Sequence, residues 1–131
     1  MSGELREMAR QWMEKAASDW RSVEILSADE RGPADAVCFH CQQYVEKLLK
    51  GFLTLHAVEV PKTHDLTRLI QLAPPGLLEL AGLADRADRL TEHAVVTRYP
   101  ERARKVGKAE MREMVALAEE FGEVLLPKLE R

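Results

Sequence analysis

Phe39-His40-Cys41-Gln42-Gln43-Tyr44-Val45-Glu46-Lys47-Leu48-Leu49-Lys50, followed at Thr63-His64-Asp65-Leu66 by a second polar cluster, decides the fold of this chain. Val37, Cys38, Cys41, Tyr44, Val45, Leu48, Leu49, Phe52 and Leu53 recur at three- and four-residue spacing, so residues 34–56 read as one helix. Its apolar arc covers nearly half the circumference. An arc that wide calls for two neighbouring helices, or one neighbour and another subunit. Gln42 projects into the arc, and its amide needs partners, because an unpaired buried amide costs about 1–3 kcal/mol.

Upstream, residues 4–27 form a first helix with a stripe of Leu5, Met8, Ala9, Trp12, Met13, Ala16, Trp20 and Val23. Asp19 falls inside that stripe at 100° per residue. Asp29 to Pro33 is the connection, and Pro33 suits the start of the next helix. Downstream, Val60-Pro61-Lys62 is extended and Thr63 is a candidate N-cap. A third helix is predicted from His64 to Leu72, with Asp65 favoured by its dipole. Pro74-Pro75 ends it, a short helical turn is predicted over 75–81, and a fourth helix over 83–96 carries Leu83, Ala87, Leu90 and Ala94. Gly107 precedes a last helix over 108–126, packed through Met111, Met114, Val115, Ala118, Phe121 and Leu125 and limited by Pro127. No segment has strand periodicity. The expected architecture is all-α, an up-and-down antiparallel bundle of four to five helices in one domain spanning residues 1–131.

Composition narrows the function classes. Of 131 residues, 46% are hydrophobic and 31% charged, as in an ordinary globular protein. The aromatic fraction of 5% leaves few platforms for stacking bases, and the net charge of −3 gives no global attraction to phosphate backbones. Arg98, Arg102, Arg104, Lys105 and Lys108 make one local basic stretch, which reads first as a solvated loop. No apolar run spans a bilayer and no export signal is evident, so a reducing cytoplasm is expected for Cys38 and Cys41. Their CxxC lacks the second cysteine pair that tetrahedral zinc requires and sits inside a helix, where free cysteine behaves as a small hydrophobe. No metal site and no cofactor is expected. Phosphate-binding and dinucleotide-binding glycine motifs are absent from the sequence.

Two polar constellations remain. Asp19, Gln42, Glu46 and Lys47 meet across two apolar helix faces, with Lys47, Arg98 or the Gln42 amide as expected partners for Asp19. They read as a buried network fixing helix register, or as a polar pocket for a phosphate-bearing ligand. Arg86 and His93 lie seven apart, which predicts one outer face of the fourth helix. They read as a solvated surface, or as an acid–base histidine with a phosphate-holding arginine.

The elements Ala16-x-x-Asp19, Phe39-x-x-Gln42-Gln43-x-x-Glu46-Lys47-x-Leu49-Lys50, Pro61 to Leu66 and Arg98-Tyr99-Pro100 resemble, in order and spacing, the HEPN domain family in its HDL/RYP branch. The resemblance runs from about Trp12 to Leu126. It implies a helical homodimer similar to the substrate-binding domain of aminoglycoside nucleotidyltransferases, a minimal nucleotidyltransferase as partner, and a nucleotide or RNA ligand. Under this reading the chain is a binding module, with Lys47, Lys50, His64, Asp65, Arg98 and Tyr99 at the ligand and Asp19, Gln42 and Glu46 as the structural network. The alternative is a metal-independent ribonuclease toxin of a toxin–antitoxin pair, using Arg86 and His93 as the Arg-x4-6-His motif of nuclease members. Ala87 stands where those members usually carry a polar residue.

Overall fold

A computed structural model describes residues 2–80 and 82–130; Met1, Ala81 and Arg131 lie outside the described residues. Five α-helices follow one another: α1 (Gly3–Ala28), α2 (Ala34–Leu55), α3 (Leu66–Gln71), α4 (Ala87–Arg98) and α5 (Lys108–Leu129). Short 3-10 turns at Leu83–Arg86 and Pro100–Arg102 flank α4, and there is no strand among the described residues. The Ser2 hydroxyl caps α1 by accepting from the Leu5 amide at 3.1 Å.

Directions alternate along the four long helices. In α1 and α2, Trp20 stacks on Tyr44 with ring centroids 4.7 Å apart, and further up Lys50 stands 5.6 Å over the Trp12 ring. Rising numbers on one helix meet falling numbers on the other, so the pair is antiparallel. Arg89 reaches Glu113 and Arg86 reaches Glu120, which sets α4 antiparallel to α5. Gly122 lies against Tyr44 and Gly51 beside Leu129, so α5 runs parallel to α2 across the bundle. The turn between α1 and α2 depends on Gly32, whose added Cβ would fall 2.0 Å from the Leu26 carbonyl oxygen.

The core is centred on α2, which packs against α1, α3, α4 and α5. Leu48, Leu49, Phe52 and Leu53 are at most 1% exposed. Each is worth about 1.5–3 kcal/mol when fully buried. The wide arc of α2 is therefore covered within one chain, and it leaves no face that requires a second subunit.

Several boundaries differ from expectation. The N-cap of α3 is Asp65, not Thr63; its carboxylate accepts from the amides of Thr67 at 3.0 Å and Arg68 at 3.4 Å. Residues 75–80 form no helical turn; a Leu77 amide bond to the Pro74 carbonyl closes a tight turn instead. Residue Ala81 of that predicted turn is outside the described residues. Pro127 does not limit α5, which runs through it to Leu129. Met8, part of the predicted α1 stripe, is 50% exposed.

Candidate functional site

The apolar faces of α1 and α2 enclose two carboxylates, and each holds a histidine and a lysine. Asp19, in the third quarter of α1, is 7% exposed. Its Oδ1 accepts from His40 Nδ1 at 2.8 Å and its Oδ2 from Lys47 Nζ. His40 and Lys47 are seven residues apart on α2, hence on one face, and both turn to the same carboxylate.

The second cluster forms one turn further along α2. Glu46, 3% exposed, accepts through Oε1 from His64 Nδ1 at 2.8 Å and Gln42 Nε2 at 3.0 Å, and through Oε2 from Lys50 Nζ at 3.0 Å. Burial pushes the Glu46 carboxyl up, but the donors from Gln42, Lys50 and His64 outweigh it and hold it below the ordinary carboxylate range. Gln42, fully buried, also donates to the His64 carbonyl at 2.9 Å and accepts from Gln43 at 2.7 Å. A side chain of α2 thereby fixes the extended segment that leads into α3.

A carboxylate only accepts, so Nδ1 carries the proton in both His40 and His64. Neither Nε2 makes a hydrogen bond among the described residues. A carboxylate that fixes the imidazole tautomer while leaving the second nitrogen open equips it to take a proton or meet a ligand. Arg98, at the end of α4, stands 5.5 Å over the Phe39 ring and has no carboxylate partner among the described residues. Phe39, His40, Gln43, Glu46, Lys47 and Lys50 follow one another along the same side of α2, so this side carries both clusters and Arg98.

The residues singled out from sequence divide accordingly. Lys47 meets Asp19 as expected, whereas Gln42 and Arg98 do not: Gln42 belongs to Glu46 and Arg98 to Phe39. Lys47 and Lys50 are both neutralised from within, and Lys50 is 7% exposed. Tyr99 is half exposed at the C-cap of α4. Asp65 serves its helix: Asp65→Ala should lower stability by about 1 kcal/mol, the usual loss of an N-cap, measured by denaturant unfolding. His40 is a site residue that sequence reasoning misses, although its seven-residue spacing from Lys47 is a readable signal.

Arg86 and His93 do not share an outer face. Arg86 pairs at the surface with Glu120 at 3.3 Å, while His93 is fully buried. Arg86 belongs to a 3-10 turn, which breaks the seven-residue register, and α4 packs against both α2 and α5. The His93 Nε2 lies 3.0 Å from Glu110 Oε2 without hydrogen-bond alignment, and neither ring nitrogen has a hydrogen bond. Burial holds its pKa below the ordinary histidine value, against the pull of Glu110. Glu110 is itself gripped by the Arg104 fork at 2.7 and 2.8 Å, and Arg104 also reaches Glu92 at 2.8 Å. The basic stretch is thus partly neutralised.

Cys38 and Cys41 are free thiols, fully buried, and burial pushes Cys38 up to about 12 and Cys41 higher still. Thiols so poorly ionised are unreactive. Among the described residues no cluster of three metal-ligating side chains occurs, and no helix is long and apolar enough to cross a membrane.

Comparison with known proteins gives two matches. A family model described as HEPN domain covers residues 9–129. The crystal structure of TT1696 from Thermus thermophilus superposes with a TM-score of 0.79 at 25% identity, over 92% of this chain and 97% of that one. No curated protein matches the sequence.

Proposed function

The chain belongs to the HEPN domain family, and from that premise and the α2 geometry we propose a cytoplasmic binding module that takes a nucleotide-like, phosphate-bearing ligand. The observation that carries this reading is the row of open groups along α2: Nε2 of His40, Nε2 of His64 and the guanidinium of Arg98. Arg98 supplies a positive charge with no internal carboxylate partner among the described residues, in a planar fork that suits phosphate. The histidines add donors or acceptors whose orientation is already fixed, which lowers the entropic cost of binding. Lys47 and Lys50 act indirectly, by keeping Asp19 and Glu46 matched so that neither repels an anion. Tyr99 flanks Arg98 at the rim.

In this reading the module works as a homodimer beside a separate minimal nucleotidyltransferase, and such an enzyme is expected in the adjacent reading frame. Calorimetric titration with ATP tests the ligand part. Heat should be released on binding, and Arg98→Ala should weaken affinity roughly tenfold or more, the worth of a charge-assisted hydrogen bond. A titration without heat, or an Arg98→Ala variant that binds ATP as well as the wild type, would remove the ligand reading.

A further inference from the structure

The helix α5 carries two kinds of charged residue. On the side facing α4 every carboxylate is matched: Glu110 by Arg104, Glu113 by Arg89 and Glu120 by Arg86. On the side facing α1, Arg112, Glu119 and Glu123 are exposed and have no ion-pair partner among the described residues. Lys108, on the same side, donates to the Glu30 carbonyl at 2.9 Å, leaving its charge unmatched by any carboxylate. At 100° per residue Lys108, Arg112, Val115, Ala116, Glu119 and Glu123 fall within an arc of about 100°.

The order of these six residues is antisymmetric. Two cations lie at one end, two carboxylates at the other, and two small apolar residues at the centre. The spacings 4, 3, 1, 3, 4 read the same from either end. Turned end for end about the Val115–Ala116 midpoint, the stripe sets Lys108 opposite Glu123 and Arg112 opposite Glu119. That is the relation a two-fold axis imposes on an antiparallel helix pair, since an isologous contact matches residue i with j and j with i.

The surface also has room for a helix. Between α1 and α5 runs a groove floored by Trp20 of α1 and by Tyr44 and Leu48 of α2. It comprises adjoining cavities of about 360–400 Å³: two share Trp20, Tyr44, Leu126 and Glu130 in their walls, and the third, along the first half of α5, meets one of them at Glu119. We propose that a second copy of this chain docks here, its α5 antiparallel to the first, with Val115 and Ala116 at the two-fold axis. Each copy then lays its α5 along the groove of the other, and four Lys/Arg–Glu pairs close at once, two from each end. This names the surface used by the homodimer reading above and rests on it.

Sedimentation equilibrium of the full chain over a range of concentration and salt tests the assignment. The wild type should dimerise, with an affinity that falls as salt rises. Arg112→Glu should weaken the dimer roughly tenfold or more, because it sets like charges opposite each other at both symmetry-related positions. Glu119→Arg should do the same. The combined Arg112→Glu/Glu119→Arg chain should recover wild-type affinity, since the pairs re-form with reversed polarity. All four residues of the charge pattern are exposed, so the variants should keep the wild-type helical circular dichroism. A dimer that neither single variant weakens, or that the combined variant fails to restore, overturns the α5 assignment and leaves the dimer to another surface. A wild type that stays monomeric throughout overturns the homodimer reading itself.

Discussion

Glu46→Ala should lower the unfolding free energy by about 3–5 kcal/mol, the cost of breaking a buried ion pair from one side. The magnitude follows from what stays behind. Lys50 would remain 7% exposed between a missing carboxylate and the Trp12 ring, and the fully buried Gln42 would lose an acceptor for its amide. His64 would lose the bond that orients it, leaving its carbonyl contact to Gln42 as the remaining side-chain tie between α2 and His64. Glu46→Gln, which keeps the shape, should lose less but still strand the Lys50 charge. Asp19→Ala should cost less than Glu46→Ala, because Lys47 and His40 are partly exposed and can turn toward water. Urea unfolding of the three variants side by side measures the order. The same network gives a pH signature: the folded-state pKa of Glu46 is below 4.5, so its contribution is present above that value and is lost as pH falls through the folded pKa.

The second large effect is a gain. His93→Leu should stabilise the protein by about 1–3 kcal/mol near neutral pH, because it removes a buried ring whose nitrogens are unbonded. Glu110 would not be stranded, since the Arg104 fork holds it. The gap between variant and wild type should widen on acidification. The folded-state pKa of His93 lies below its unfolded value of about 6.5, so the unfolded chain takes up the proton first. Its contribution is therefore complete above pH 6.5 and drains away as pH falls toward the folded pKa. Thermal unfolding of both proteins across the range from neutral to mildly acidic pH checks the sign; a constant gap would mean His93 titrates alike in both states. The variant also bears on the ribonuclease reading, in which His93, fully buried in the single chain, would be needed: growth on expression of wild type and His93→Leu should be equally unaffected.

The helices are legible because their signals are local. Apolar spacing places α1, α2 and α5 to within one to three residues, and Pro33 and Gly107 mark two starts correctly. Asp19 betrays itself as a carboxylate inside an apolar stripe, and Gln42 as an amide inside another. Which cation answers which anion is not local. Lys47 can be assigned to Asp19 from helix geometry, but the Glu46–His64 bond depends on where an extended segment of about ten residues returns, and no periodicity encodes that path. His93 fails for a related reason. A heptad spacing predicts a shared face only in continuous α-helix, and the chain from Leu83 to Arg86 is wound more tightly. The α5 pattern escapes sequence reading because each of its charges, taken alone, looks like an ordinary solvated residue.

The central position of α2 also sets a temporal order. When α2 leaves the ribosome only α1 is available to cover it. The residues that seal its far side, Met114, Phe121 and Leu125, are made more than fifty residues later. At a synthesis rate of about 5–20 residues per second, the nascent hairpin carries a bare greasy flank for several seconds. The tight Gly32 reversal and the matched Asp19 and Glu46 clusters lie wholly or largely within that early half. They are in place to hold the two-helix unit in register until its last strut arrives.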